Sequence, residues 1–562
     1  MAKSTKINSL ISVLAMLFQA TYSIAADYNK KEQMWQWQTE IELISPKDQS
    51  KYTASPFLWI PPKCEKVKAV MVMSTAVIEQ AMVESPYIRK VCADNDIAIM
   101  WSGHQFYRGN ESAKQQIEAM LFSFAEKSGY KELTAVPWIP CGHSGTNPMV
   151  RYITMNAPEK VAFTIIHKAT AQVGNTNSVP ILSTQGEFME WSSYDRDLTQ
   201  NINEEKSYTD VIRNREKSAM PLSYYFDPNT GHFDCSDRLL KNIALWIEDI
   251  CQLRFDEKGA IRAINLQDGW ITSLPVPGYL GKKSLPVKVV KADQTMVEHS
   301  PWYPSKRTAL AAYEMANQDM TREAQIAGFA DFDNQIDDVS YWWRGIARIP
   351  YIQEGAYFKL NVIPYTRMPK GKYLIARRNP ETQRDMEVLE GVFYNHKEHT
   401  FTNSGNDIDI EIVSGNFVKT DWKNTFKYVP RFKTANYFVA RQKGNKKYRN
   451  SVQVGRIDLI NCNKGEVNTI SFDGIQNQRI GSLKAIELKA ESSAGEPVEF
   501  FVNYGPAYIK DNRLYIRVED IPVKSKYPIE IKVTAYSLGN ANEEHPVKTA
   551  TPVSKVFYLH RL

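Results

Sequence analysis

Short apolar runs alternate with amphipathic segments between about Val67 and Phe255. The apolar runs have the length of strands that are buried on both faces, as in "VKAVMVMS", "IAIMW", "TAVPWIPCG", "VAFTIIHKA", "VPILSTQGE" and "PLSYYF". The segments between them have helical spacing, as in "SAKQQIEAMLFSFAEKSG" and "SDRLLKNIALWIEDICQL". This alternation predicts an α/β fold, in which a mostly parallel sheet is flanked by helices.

The pattern changes from about Gly328 onward. Apolar and polar residues alternate there with a period of two, as in "GAYFKLNVIPY", "NDIDIEIVSG" and "YPIEIKVTAYS", which predicts antiparallel strands. A helical segment from about Ser305 precedes this region. We therefore predict an α/β domain with a C-terminal helical extension, a β-rich module and a β-sandwich, over residues 27–327, 328–450 and 451–562.

The N-terminus has the residue order of a cleaved export signal. Lys3 and Lys6 precede an apolar run from Leu10 to Phe18, and small residues follow this run. We therefore predict a signal peptide over residues 1–25 and a mature protein that is periplasmic or secreted. The apolar run is short for a membrane span and no other segment has about 20 consecutive apolar residues, so we predict no membrane span.

Charge and composition narrow the range of partners. The formal net charge is +6 over 562 residues, and the densest basic patch, "RQKGNKKYR", is short, which predicts no nucleic-acid partner. The six cysteines form no C-x-x-C pair, and "DFDNQIDD" lacks the glycine and the glutamate of a calcium loop. We therefore expect no metal site and no cofactor. No sequence feature indicates an oligomeric state.

The stretch "VPWIPCGHSGTN" contains the strongest chemical signal in the chain. Ser144 follows a buried strand, lies between Gly142 and Gly145, and precedes the helical pattern "PMVRYITMN". A strand, a sharp turn with glycines and a helix form the context of a nucleophile elbow, in which small neighbours permit strained backbone angles. The motif departs from G-x-S-x-G at Thr146. The alternative is an ordinary serine after a hydrophobic strand.

A serine nucleophile needs a histidine base and a carboxylate that orients it, in the chain order serine, acid, histidine for this fold class. His232 in "PNTGHFDCSD" stands after the last apolar strand and before the last helix, where the base is expected. The strand "VPILSTQGEFMEW" ends in Glu187 and Glu190, which are both candidates for the acid. We prefer Glu187, with Asp195 and Asp197 as more remote options.

In this order and spacing, "GHSG", "VPILSTQGE" and "GHFDCSD" resemble the motifs of an α/β-hydrolase domain between about Lys66 and Phe255. More narrowly, the chain resembles secreted Bacteroides-type carbohydrate esterases, the α/β-hydrolase class of pectin methylesterases. The tail "VEFFVNYGPAYIKDNRLYIRVEDIP" is similar to the Ig-like sandwich appended to such enzymes. The resemblance implies Ser144 as nucleophile and His232 as base. It also implies an esterase that removes methyl or acetyl groups from a plant-type polysaccharide or oligosaccharide, with pectin as one candidate.

An acyl-transfer site also needs an oxyanion hole, which two preorganised backbone N–H groups usually provide. We expect one of them from Gly145, directly after the nucleophile. The second is expected in the loop after "VKAVMVM", at Thr75 or Ala76.

Polar side chains at the ends of neighbouring strands are candidates for contact with substrate. His104 follows "IAIMW", and His167 with Lys168 follows "AFTII". A cationic Lys168 would suit a uronic acid carboxylate. Buried, structural roles are equally open for all three.

Two other functions are compatible with these motifs. A peptidase or lipase uses the same fold and the same triad, so the fold alone does not separate them from an esterase. A glycan-binding protein with a degenerate hydrolase domain is the noncatalytic alternative.

Overall fold

The computed structural model describes most of the chain between residues 34 and 561. The described residues are 34–44, 50–103, 111–169, 179–188, 220–272, 289–292, 301–318, 322–323, 325–336, 341–342, 346–366, 377–378, 386–387, 401–459, 462–541 and 544–561. Within these ranges, none of the helices combines the length and the apolar character that a membrane crossing requires. The predicted signal peptide lies outside them.

An eight-stranded sheet forms the centre of the N-terminal domain. Its strands are β1 (Trp37–Gln38), β2 (Pro56–Trp59), β3 (Ala69–Met73), β4 (Ile97–Ser102), β5 (Trp138–His143), β6 (Thr164–His167), β7 (Ile181–Phe188) and β8 (Leu222–Gly231). They lie in the order β1-β2-β4-β3-β5-β6-β7-β8. The pairs β1–β2 and β2–β4 are antiparallel, and the other pairs are parallel. The sheet confirms the predicted α/β-hydrolase fold.

The helices of this domain follow the strands that the sequence pattern indicates. They are α1 (Glu79–Val83), α2 (Pro86–Asp94), α3 (Glu111–Ser128), α4 (Asn147–Asn156), α5 (Asp237–Arg254) and α6 (Lys306–Asn317). Every residue of β3 and β4 is buried, because helices pack on both faces of a parallel sheet. The helix α6 begins after Ser305, whose hydroxyl accepts a hydrogen bond from the Thr308 N–H at 3.1 Å.

Two antiparallel sheets form the β-rich region after α6, which we call the β module (residues 326–457). One contains Ile326–Ala330, Tyr351–Glu354, Tyr357–Tyr365, Phe417–Lys419 and Thr425–Tyr428; the other contains Tyr341–Trp342, Ile346–Arg348, Ile408–Ser414, Asn436–Gln442 and Ser451–Ile457. All pairs in the two sheets are antiparallel except Ile346–Arg348 with Ser451–Ile457. The predicted boundary at residue 450 is too early, because Ser451–Ile457 pairs along its whole length with Asn436–Gln442.

Two further sheets enclose a separate apolar core at the C-terminus, which we call the C-terminal sandwich (residues 462–561). They contain Gln478–Arg479, Glu499–Tyr504, Ile529–Tyr536 and Val553–His560 on one side, and Ile486–Glu487, Ala507–Lys510 and Arg513–Ile516 on the other. The remaining strands form small sheets: Ile41–Ile44 with Lys51–Ala54, Trp270–Thr272 with Val289–Lys291 and Trp302–Tyr303, Arg377–Arg378 with Met386–Glu387, and Ile470–Phe472 with Ala490–Ser492. The predicted β-rich C-terminal region is confirmed.

Backbone hydrogen bonds attach the C-terminal sandwich to the α/β domain. The Gly505 N–H donates to the Trp35 carbonyl at 2.8 Å, and the Lys526 N–H donates to the Ser128 carbonyl, also at 2.8 Å. Both accepting residues, Trp35 and Ser128, are buried. The sandwich therefore packs against the α/β domain through backbone hydrogen bonds.

A substitution at Gly129 tests the contact between the α/β domain and the C-terminal sandwich. Gly129 directly follows α3 with φ +89°, and a Cβ at this position would lie 2.9 Å from the Cβ of Lys526 in the sandwich. Gly259 is a matched control with φ +82°, where a Cβ would meet only the flexible Lys68 side chain at 3.3 Å. Both Ala substitutions incur backbone strain of about 1 kcal/mol or more. We expect Gly129→Ala to lower the free energy of unfolding, measured in urea, by about 1 kcal/mol more than Gly259→Ala. Equal decreases in the free energy of unfolding of the two variants would show that the interface accommodates the added Cβ without cost.

Candidate active site

Ser144 lies on a strained turn directly after β5. Its φ is +46°, in the left-handed region that residues other than glycine rarely adopt, and its side chain is half-buried. A Cβ on Gly142 would lie 2.6 Å from the Thr146 Oγ1 and 2.8 Å from the Val150 Cγ2, so only glycine fits there. Strand β5, this turn and helix α4 together form the geometry of a nucleophile elbow.

His232 faces the Ser144 hydroxyl. It directly follows β8, and its Nε2 lies 2.9 Å from the Ser144 Oγ, although the two residues are 88 positions apart in the chain. An imidazole nitrogen at this distance can accept the hydroxyl proton when the oxygen attacks an electrophile. The structure therefore brings together the predicted nucleophile and the predicted base.

Lys168 supports the loop that carries His232. Its side chain is fully buried, and its Nζ donates to the backbone oxygens of Gly231 and Asp234, on either side of His232. A third contact, at 3.3 Å, joins the Nζ to the Thr230 hydroxyl. The suggestion that Lys168 binds a substrate carboxylate is wrong, because its ammonium group is occupied inside the protein.

A second buried charge holds the same loop from the side of α5. The Asp227 carboxylate is fully buried and accepts hydrogen bonds from Ser236 and from Arg238, each at 2.6 Å. Burial alone would raise the pKa of Asp227, but the positive charges of Arg238 and Lys168 outweigh it and hold the pKa below its usual range. Asp227 is therefore a carboxylate anchor for the segment between β8 and α5.

The β module contacts this loop as well. The Arg441 guanidinium lies 2.8 Å from the fully buried Asp234 carboxylate and 3.2 Å from the Glu411 carboxylate. The Phe233 ring contacts the His232 ring edge-on at 4.7 Å and stacks on the Tyr437 ring at 6.2 Å, both measured between ring centroids. The residues on either side of the base are thus packed against a different module of the chain.

Two further histidines, His143 and His167, are buried in the protein interior near His232. His143 is fully buried, and its Nε2 lies 2.9 Å from the His232 carbonyl oxygen. His167 is also fully buried, and its Nδ1 lies 2.5 Å from the Thr184 hydroxyl. Burial, reinforced by the positive charge of Lys168, lowers the pKa of His167 well below its usual value. The expectation that His167 contacts substrate is wrong, because its ring has no exposed surface.

The loop after β3 was expected to supply an oxyanion-hole amide from Thr75 or Ala76. The Ala76 N–H donates to the Glu79 carboxylate at 2.8 Å, so the assignment of Ala76 as an oxyanion donor is wrong. Thr75 remains the predicted donor from this loop, and its hydroxyl donates to the Ser102 carbonyl at 2.5 Å. Gly145, half-buried in the turn after Ser144, stays the other predicted donor.

Glu79 is a site residue that the sequence analysis missed. It is fully buried at the start of α1. Its Oε2 accepts hydrogen bonds from backbone N–H groups, and its Oε1 accepts from the His143 N–H and from the Thr146 hydroxyl. Burial raises the pKa of Glu79, and hydrogen bonds from Thr146 and from the Ala76 and His143 amides oppose the rise. In the sequence it is one polar residue of "VIEQAMVE", and no local pattern distinguishes it from a solvent-exposed glutamate.

The structure does not identify the acid of the triad. The backbone of Glu187 lies in β7, and its neighbour Phe188 pairs with Gly231, the residue before His232. Glu190 and His104 lie outside the described residues. The choice between Glu187 and Glu190 and the role of His104 stay predictions.

No protein-family model matches the chain, and no curated protein matches it in sequence. Among solved structures, poly(aspartic acid) hydrolase-1 from a Sphingomonas species is similar with 11% identity and a TM-score of 0.27, over 38% of this chain and 98% of that one. A lidless α/β serine hydrolase from Xanthomonas campestris has 11% identity and a TM-score of 0.25, over 40% and 97%. A poly(3-hydroxybutyrate) depolymerase from Bordetella parapertussis has 10% identity and a TM-score of 0.27, over 40% and 91%. These similarities do not identify a family.

Arg441→Leu should destabilise the protein, because it leaves the fully buried Asp234 carboxylate without its positive partner. We expect the free energy of unfolding to fall by about 3 kcal/mol. The matched control is Lys90→Ala, which breaks the solvent-exposed ion pair with Asp94 and should cost less than about 0.5 kcal/mol. Urea unfolding of both variants measures the difference, and similar small losses would show that the Asp234 charge is compensated elsewhere.

Proposed function

We propose that the protein is an exported serine esterase that hydrolyses methyl or acetyl esters on a plant-type polysaccharide or oligosaccharide, with pectin as a candidate substrate. The observation that carries the hydrolase assignment is the 2.9 Å contact between the Ser144 Oγ and the His232 Nε2, at a left-handed turn after a parallel strand. The carbohydrate ester and the export are supported by the sequence resemblance and by the N-terminal residue pattern.

The chemistry follows from this geometry. The Ser144 Oγ attacks the ester carbonyl carbon while the His232 Nε2 takes its proton, and a tetrahedral intermediate forms with negative charge on the former carbonyl oxygen. The backbone amides proposed at Gly145 and Thr75 stabilise this charge. The imidazolium then protonates the leaving alcohol. Water, activated by the same imidazole, hydrolyses the acyl-enzyme to the free acid and regenerates the Ser144 hydroxyl.

The strain at Ser144 favours a catalyst over a noncatalytic binding protein. A residue other than glycine in the left-handed region costs about 1–3 kcal/mol and persists only when its surroundings enforce it. Here Gly142 and the contact with His232 are both arranged around the strained serine. A glycan-binding surface has no need of a hydroxyl in hydrogen-bond contact with an imidazole.

The first test measures methanol and acetate released from methylated and acetylated pectic fragments. We expect the wild type to release one of the two products, and Ser144→Ala and His232→Ala to reduce turnover by about 10⁴-fold or more while the fold survives. Circular dichroism checks the fold, and a short-chain aryl ester serves as a general substrate. Aryl ester cleavage without either pectic product would favour a lipase or peptidase, and no cleavage of any ester would favour the binding protein.

The triad acid is tested separately with Glu187→Gln and Glu190→Gln. The acid orients the imidazole and stabilises its cationic form, so its loss should lower kcat by about 10⁴-fold. We expect Glu187→Gln to be the severe change, because the end of β7 lies beside the residue that precedes His232. Each variant serves as the control for the other, with kcat measured on the same ester. The opposite ranking would assign the acid to Glu190.

A further inference from the structure

The Glu79 carboxylate joins two separate loops of the candidate site. Its Oε2 accepts hydrogen bonds from the Ala76 and Val77 N–H groups at 2.8 and 2.9 Å, in the loop after β3. Its Oε1 accepts from the His143 N–H at 3.1 Å and from the Thr146 hydroxyl at 2.7 Å, in the nucleophile elbow after β5. The two loops are more than 60 residues apart in the chain, and this one side chain connects them.

These contacts are strong because the carboxylate is fully buried. A buried carboxylate is unfavourable unless donors surround it, and hydrogen bonds to a charged acceptor are roughly twice as strong as neutral ones. Glu79 has two donors on each oxygen, three of which are backbone N–H groups. The backbone of both loops is therefore fixed relative to one carboxylate group.

The same two loops contain the amides that an oxyanion hole requires. Thr75 directly precedes Ala76, and Gly145 lies between His143 and Thr146. Two amides stabilise an oxyanion only when their separation matches the position of the charged oxygen in the transition state. A group that fixes both loops thereby also fixes the distance between these two amides.

We propose that Glu79 is a positioning residue for the oxyanion hole, and that it sets the spacing between the Thr75 and Gly145 amides. This inference rests on the proposed esterase function. It also accounts for the departure from G-x-S-x-G, because the Thr146 hydroxyl stands at the place of the last glycine and donates to the Glu79 carboxylate. The pair formed by Glu79 and Thr146 thus replaces the glycine of the motif with a hydrogen-bonded contact.

The test begins with Glu79→Gln, which keeps the shape of the side chain. A glutamine has one oxygen and one NH₂ group in place of the two carboxylate oxygens. Its NH₂ group must therefore face the donors of one of the two loops, and only the other loop keeps an acceptor. We expect kcat, counted per active site, to fall by about 10²-fold or more, with KM changed by less than about threefold, because an oxyanion forms only in the transition state.

Thr146 supplies the matched pair of variants. Thr146→Ser keeps the hydroxyl and should retain kcat within about threefold. Thr146→Val keeps the shape but loses the hydroxyl, which donates to Glu79 and accepts from the His143 N–H at 2.9 Å, and it should lower kcat by about tenfold. In the double variant Glu79→Gln with Thr146→Val, the two losses should not add, because both remove the same contact.

The decisive readout is the affinity for an aryl boronic acid, which bonds to the Ser144 Oγ and forms a tetrahedral anion in the oxyanion hole. Its Ki should rise in Glu79→Gln by the same factor as kcat/KM falls. Titration with a fluorophosphonate counts the active sites, and thermal unfolding monitors stability. Full activity and unchanged Ki per titrated site would overturn the inference, even if the variant were less stable. A wild type that neither hydrolyses esters nor reacts with the fluorophosphonate would overturn the proposed function itself.

Discussion

The left-handed backbone at Ser144 is the constraint on which the candidate site depends. A strain of about 1–3 kcal/mol at this residue would relax if the turn were free to do so. The turn is held from two directions. Gly142 lets the chain pass close to Thr146, and the Glu79 carboxylate binds the elbow on either side of the serine. The hydroxyl is thereby fixed at the distance from which His232 can take its proton.

The opposite half of the site is held by buried charges. Lys168 brackets His232 through two backbone oxygens, and Arg441 reaches the adjacent Asp234 carboxylate from the β module. Buried charges are costly when alone, and each of these has partners that offset its desolvation. Fixing the loop in this way keeps the His232 ring in place opposite the Ser144 hydroxyl.

Much of the fold could be predicted from the sequence, because burial on both faces of a parallel sheet gives continuous apolar runs, and helices give a period that is visible locally. The contact between Ser144 and His232 could be predicted because a local motif and the order of residues along the chain can both be read from the sequence. The structural roles of Glu79, Lys168 and Arg441 could not be predicted, because a charged residue is normally exposed and its burial depends on partners that lie far away in the chain. Lys168 was accordingly interpreted as a substrate contact. His167 was misjudged for the related reason that a residue at the end of a strand can face either the cleft or the interior.

These buried charges show that the β module as well as the α/β domain contributes to the structure of the candidate site. The α/β domain contains the candidate nucleophile Ser144 and the candidate base His232. However, Asp234, two residues after His232, forms its ion pair with Arg441 on a strand of the β module. Without that strand the loop would carry an uncompensated buried carboxylate two residues from His232, and Phe233 would lose the Tyr437 ring on which it stacks. The β module is therefore part of the structure that holds the candidate site, because the loop that carries His232 packs against it as well as against the α/β domain.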